Sequence, residues 1–217
     1  MVEKLFVEQL GDKTAVAFIP GLGYAGWCWE GQRELARDWR LVLIDNRGSG
    51  RSPKPDGPYS IATMTEDAAA VIVDHGLAPA HVVGHSLGGY LAMGLAVSRP
   101  ELVRSVTLIS TSPGGPSATP VPDATREAWL AKAGLPPAEY ARATMHLSLA
   151  EGWVERHPAE YEHWLAARLQ YPTPPEAWAA QYAAGDAHLT DGLDVTGIET
   201  PTLVIHGDAD RIVPIAN

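Results

Sequence analysis

Between His81 and Leu91 a short apolar, β-branched stretch, His81-Val82-Val83-Gly84, gives way almost at once to a helix-compatible one, Leu87-Gly88-Gly89-Tyr90-Leu91. Ser86 stands at the joint, and Gly84, Ser86 and Gly88 fill the three fixed places of the pattern G-x-S-x-G. A strand that turns directly into a helix holds the residue at the joint in a strained backbone conformation with its side chain thrust outward. The neighbours two before and two after come so close that a Cβ would clash, so glycine is favoured at both places. The serine then sits at a helix N-terminus, where unpaired N–H groups and the dipole favour a developing negative charge. Ser86 is therefore a candidate nucleophile. The plainer reading, a glycine-rich turn that happens to contain serine, is disfavoured by the strand before it and the helix after it.

The flanking chain repeats the same alternation. Leu5-Phe6-Val7 and Thr14 to Ile19 read as early strands, the second running into the flexible loop Pro20-Gly21-Leu22-Gly23. Trp27, Cys28 and Trp29 precede a helix expected through Leu35 and Ala36. Arg40 to Asp45 is a continuous apolar strand, as in a parallel sheet buried on both faces. It ends in Asp45-Asn46-Arg47-Gly48-Ser49-Gly50-Arg51-Ser52, whose aspartate and arginines are expected to brace a rigid loop. Thr63-Met64-Thr65-Glu66 has capping-box spacing for the next helix, and Val103 to Ile109 is another buried strand. Three strand–helix alternations imply an α/β fold: a mostly parallel sheet flanked by helices.

The composition changes at Ser112-Pro113-Gly114-Gly115-Pro116. From Asp123 to about Ala187 the chain is rich in alanine, tryptophan and helix formers, broken by prolines, with Thr173-Pro174-Pro175-Glu176 reading as a helix start. We divide the chain into a core at 1–112, an inserted helical cap at 113–190, and a further core piece at 191–217. A cap between two strands would hang its tryptophans over the C-terminal ends of the sheet, where open parallel sheets bind ligands. Trp27, Trp29, Trp129 and Trp153 are the candidate substrate-contacting residues, with core or lobe packing as the alternative for each. Pro201 to His206 is expected to return as a buried strand, ending in Gly207-Asp208-Ala209-Asp210-Arg211.

A net charge of −10 argues against a nucleic-acid partner, which requires a basic face. No apolar run approaches the roughly 20 residues of a membrane span. Met1-Val2-Glu3-Lys4 lacks a charged-then-apolar leader pattern, and the single cysteine, Cys28, fits a reducing compartment, so a cytoplasmic location is expected.

Taken in order, four motifs resemble those of the α/β-hydrolase superfamily over essentially the whole chain. Gly21-Leu22-Gly23 falls where the oxyanion loop should be, with Pro20 in place of the histidine of many members. Asp45 to Ser52 resembles the family loop D-x-R-G-x-G-x-S, Gly84 to Gly88 the nucleophile elbow, and His206 to Asp210 the strand end that carries the triad acid. The closest flavour is the capped, single-domain type that includes enol-lactonases and small carboxylesterases. The resemblance implies that Ser86 is the acylating nucleophile and that Asp210, rather than Asp208, orients the general base. It further implies that the backbone N–H groups of Leu22 and Leu87 form the oxyanion hole, worth roughly 3–4 kcal/mol per donor. No metal and no organic cofactor is implied.

The family's general base is a histidine beyond the triad acid, whereas the seven residues after Asp210 contain none. None of the eight histidines, at 75, 81, 85, 146, 157, 163, 188 and 206, is placed as a substitute. The family's last strand and helix are missing as well. The expectation is a C-terminally truncated serine hydrolase of a small, neutral-to-hydrophobic ester or lactone, its remainder supplied by a second chain or fragment. The alternatives are C–C bond or other hydrolysis on the same scaffold, and a non-catalytic ligand-binding pseudo-hydrolase.

Overall fold

The computed structural model describes residues 4–217, so the part of the N-terminal reading that falls on Met1, Val2 and Glu3 lies outside the described residues. Its centre is a six-stranded sheet formed by β1 (Val7–Leu10), β2 (Ala15–Ile19), β3 (Arg40–Ile44), β4 (Ala80–His85), β5 (Val103–Ile109) and β6 (Thr202–Ile205). The spatial order is β1-β3-β2-β4-β5-β6; β1 runs antiparallel to β3, and every other pairing is parallel.

Side chains on a strand alternate between faces, and β2 shows what that requires in a sheet covered on both sides. Ala15, Ala17 and Ile19 face a core shared with α1 (Ile61–Asp74) and α2 (Leu87–Ser98), through Met64, Ala68, Ile72, Leu91 and Leu95. Val16 and Phe18 face the opposite layer, where Trp29 packs on Leu41 and Leu43. Each fully buried Leu or Ile contributes about 1.5–3 kcal/mol relative to exposure, so the centre of the sheet is heavily anchored. That opposite layer is a 3-10 segment, Gly26–Arg37, in place of the regular helix expected there.

Local differences from expectation have simple causes. The first strand begins at Val7 because Val7 to Leu10 pair with Ile44 to Leu41, while the Phe6 amide donates to Ser52 Oγ at 2.8 Å. Helix α1 is capped by Ser60, whose Oγ accepts from the Thr63 amide at 3.1 Å, rather than by Thr63 itself. The strand expected to be buried near the end of the chain, β6, has Leu203, Val204 and Ile205 at 56%, 62% and 48% exposed. It is the outer strand of the six and pairs only with β5 among the described residues.

Between β5 and β6 lie α3 (Asp123–Leu130), α4 (Pro137–Thr144), α5 (Trp153–Arg156), α6 (Pro158–Gln170) and α7 (Pro175–Asp191). Proline opens α4, α6 and α7, where its missing N–H costs nothing and its fixed φ favours a helical start. Ala141, Met145, Tyr161 and Leu165 form a small core of their own. Helix α7 also seats on the sheet layer: Ala184 joins the main core, and His188 stacks on Tyr90 at 4.3 Å. No helix among the described residues is long and apolar enough to cross a membrane.

Candidate active site

Ser86 lies between β4 and α2 with φ 52° and ψ −120°, a conformation that L-residues adopt only when their surroundings enforce it. The surroundings here are explicit. A Cβ on Gly88 would come within 2.1 Å of the Ile19 carbonyl oxygen, and one on Gly84 within 2.3 Å of the Gly88 oxygen. The Ser86 amide donates to Ile109 O at 2.9 Å, and its own carbonyl accepts from Gly89 N at 2.7 Å and Thr111 Oγ1 at 2.8 Å. The backbone is held on all sides, and the side chain projects into a cavity.

Against it lies the loop after β2. A Cβ on Gly21 would stand 3.1 Å from His85 Nδ1 and 3.3 Å from Ser86 Cβ, a tight contact that glycine avoids. The loop is pinned by Asn46 Nδ2 donating to Pro20 O at 3.0 Å and closed by Tyr24 N donating to Gly21 O at 3.1 Å. No protein group accepts from the amides of Leu22 or Leu87 among the described residues. Leu87 is the first residue of α2, where an amide has no acceptor within its own helix.

Asp45 braces the adjoining loop. It is 2% exposed, and its carboxylate accepts from Gly26 N at 2.7 Å and Arg51 N at 2.8 Å. Arg47 forms a two-pronged ion pair with the buried Asp67. Gln181 of α7 is fully buried at the same junction. Its Oε1 accepts from Gly23 N at 2.9 Å, and its Nε2 donates to Arg47 O at 2.7 Å and Ser49 Oγ at 2.9 Å. Thr173, expected as the helix cap, instead bonds Gly23 O and Ser49 Oγ, while Pro174 occupies the cap position.

Two cavities of about 330 and 450 Å³ meet at Ser86, sharing Leu22, Trp129, Ile212 and Val213. The first runs under the lobe past Tyr24, Tyr140, Arg168 and Trp178, and includes Asp208 and Asp210. Asp210 Oδ1 accepts from Ile212 N at 2.8 Å and Val213 N at 3.0 Å, and its Oδ2 stands 3.6 Å from His206 Nε2. His206 Nε2 faces Val213 O at 2.8 Å; a carbonyl only accepts, so this nitrogen carries the proton. His85 lines the cavity beside Ser86; burial pushes its pKa below the ordinary 6.5, and Asp210 opposes the shift. Among the described residues no imidazole is hydrogen-bonded to Ser86 Oγ, and no cluster of three or more potential metal ligands exists.

Of the four tryptophans singled out from sequence, Trp129 alone lines the Ser86 cavities. Trp29 is buried against Phe18 at 5.1 Å, Trp27 stacks on Tyr24 at 5.0 Å, and Trp153 lies against Trp164 at 5.0 Å inside the lobe. Trp178 is one of the lobe tryptophans expected over the strand ends and does line the cavity, whereas Arg168 and Gln181 were not foreseen in the site. Their helical spacing marks only amphipathic helices, and only the docking of α6 and α7 on the core shows which faces turn inward. Burial raises the Cys28 thiol pKa far above its ordinary 9.0, so it stays neutral.

Comparison with known proteins agrees with this geometry. The family described as alpha/beta hydrolase fold matches residues 14–217. RutD from Azorhizobium caulinodans, which carries the name of a carbamate hydrolase, is 39% identical over 107 residues, 49% of this chain and 40% of that protein. RutD from Klebsiella pneumoniae subsp. pneumoniae, named likewise, is 31% identical over 217 aligned residues, spanning 92% of this chain and 74% of that protein. The chain thus aligns with well under half of the first relative and about three quarters of the second. A thermophilic esterase from Thermogutta terrifontis superposes with a TM-score of 0.80 at 26% identity, covering 98% of this chain and 78% of that one. With its parallel sheet, its strained serine between strand and helix and this match over most of its length, the chain belongs to the α/β-hydrolase fold family.

Proposed function

We propose that the protein is a serine hydrolase of small esters or lactones. The observation that carries this reading is the enforced backbone of Ser86, which leaves a side chain with no structural duty pointing into a cavity. In the proposed reaction Ser86 Oγ, giving up its proton to a base, attacks the substrate carbonyl. The tetrahedral oxyanion is held by the Leu22 and Leu87 amides and collapses by breaking the bond to the alcohol oxygen, which takes up a proton and leaves Ser86 acylated. The acyl-enzyme is then hydrolysed by water. The carboxylate of Asp210, fixed by two backbone amides, is the group that would orient an imidazole base. The esterase and carbamate-hydrolase names of the relatives agree with carbonyl chemistry of this kind.

A serine hydroxyl with no base beside it is a weak nucleophile. Its rate then rests on the oxyanion hole and binding, several orders of magnitude below a complete triad. The test is hydrolysis of 4-nitrophenyl butyrate by the 217-residue chain, with and without added imidazole, beside Ser86→Ala. Serine-dependent turnover that imidazole increases, with a butyryl adduct on Ser86 by mass spectrometry, is the expected result. Equal rates for wild type and Ser86→Ala under both conditions would overturn the assignment.

A further inference from the structure

Arg168 is 7% exposed, yet among the described residues its guanidinium forms no ion pair and no hydrogen bond, only contacts with aromatic rings. Its guanidinium lies over the Tyr24 ring at 4.9 Å and beside Tyr140 at 6.0 Å, contacts that support its faces but satisfy none of its five N–H donors. None of its nitrogens is among the fully buried atoms without a partner, so the guanidinium opens onto the cavity, where an anionic ligand can reach and pair with it. The guanidinium lines the same cavity as Ser86. Its Nη2 is 3.9 Å from the place a Cβ on Gly23 would occupy, next to the loop carrying the Leu22 amide.

We infer that Arg168 is the receptor for a carboxylate carried by the substrate, so that the enzyme acts on esters or lactones bearing a free acid group. The inference deepens the serine-hydrolase reading and rests on it for the identity of the reacting bond. It replaces the neutral substrate expected from sequence. A carboxylate suits the site better than a phosphate. One planar guanidinium matches one carboxylate in two parallel hydrogen bonds. A dianion would face Asp208 and Asp210, which line the same cavity, with only half of its charge offset. Arg211 also lines the cavity, but it is exposed and its guanidinium already donates to Leu149 O at 2.9 Å.

The experiment uses Ser86→Ala, which keeps ligands intact, and titrates it calorimetrically with the monoethyl and diethyl esters of succinate, glutarate and adipate. At least one monoethyl ester is expected to bind tenfold or more tightly than its diethyl counterpart. Adding Arg168→Met should abolish that preference, and adding Arg168→Lys should keep part of it, with melting temperatures measured for each variant. No preference for any monoester, or a preference that survives Arg168→Met, would overturn the inference. So would a uniform loss of all six ligands with a lowered melting temperature, which would make Arg168 a structural residue. If the preference is found but wild type shows no Ser86-dependent turnover of the same monoester, the carboxylate site stands and the hydrolase reading falls.

Discussion

The side-chain oxygen of Gln181 accepts the Gly23 amide hydrogen at 2.9 Å, joining a helix of the lobe to the loop that faces Ser86 across 158 residues of sequence. The same side chain donates to Arg47 O and Ser49 Oγ, so one fully buried amide fixes two core loops and the lobe to each other. The loop that carries the Leu22 amide is therefore held at one end by α7 as well as at Pro20 by Asn46. The lobe thus supports these loops and also contributes residues to the cavity lining.

Gln181→Leu keeps the volume but leaves one donor, the Gly23 N–H, and two acceptors, Arg47 O and Ser49 Oγ, without their Gln181 partner. Each orphaned buried group costs about 1–3 kcal/mol, so denaturant unfolding should show a stability loss of about 3 kcal/mol or more. Displacement of the Leu22 amide should lower kcat on an aryl ester by roughly 10- to 100-fold with little change in KM, because a donor aimed at the transition state acts there. An unchanged kcat in a variant that is folded at the assay temperature would show that Gln181 does not position the loop.

Asp45 offers a second test of how loops are held. Asp45→Ala removes the acceptor of two amides, Gly26 N and Arg51 N, at a site 2% exposed, and should cost about 2–5 kcal/mol. Asp45→Asn retains one acceptor oxygen and should lose roughly half as much. Chemical denaturation of both variants checks the order; equal losses would mean that the charge, rather than the two bonds, is what matters.

Much of this was legible in the sequence where local physics is strict. The start of α2 at Leu87 and the bounds of β5 follow from the glycine-marked joint and from an unbroken apolar run, and Asp45 bracing its loop follows from its place at a strand end. The lobe was legible only in outline. Trp129 and Trp153 both fall in lobe helices, yet only tertiary packing brings Trp129 to the cavity and stacks Trp153 on Trp164. Arg168 and Gln181 carry no local signal at all, since a charged or amide residue on a helix is ordinarily solvated. The exposure of β6 was hidden for a related reason. A continuous apolar run signals strand, and its neighbours decide whether both sides are covered.

The glycines at the joint make a sharper prediction. Gly88→Ala would bring a methyl group within 2.1 Å of Ile19 O, a backbone atom that cannot move without displacing β2. Overpacking of a core typically costs 1–3 kcal/mol, and contact with backbone places this change at about 3 kcal/mol or above. Gly134→Ala is the control, because nothing lies within 4 Å of its added Cβ, and it should stay within about 0.5 kcal/mol of wild type. Thermal melts of the pair decide it. A Gly88→Ala protein as stable as Gly134→Ala would mean that the close approach of α2 to β2 is not as described.

Acid should destabilise the fold through its buried imidazoles. Burial pushes the pKa values of His85 and His188 below the ordinary 6.5; Asp210 opposes the shift at His85, and a contact to the Ser112 backbone, with Asp191, opposes it at His188. In the unfolded chain both groups keep a pKa near 6.5. Above that value both states are neutral and stability is flat. As pH falls below it, the unfolded state takes up protons that the folded state resists until its own lower pKa is passed, so stability drops by at most about 1.4 kcal/mol per pH unit per group. His188→Phe removes one of the two. Its ring can keep the stack on Tyr90, and His188 Nε2 has no hydrogen-bond partner to lose, although the Ser112 contact is given up. Urea unfolding from pH 8 to pH 5 should show a plateau about 1 kcal/mol below wild type and a shallower fall below pH 6.5. A slope identical to wild type would show that His188 does not contribute to the acid sensitivity.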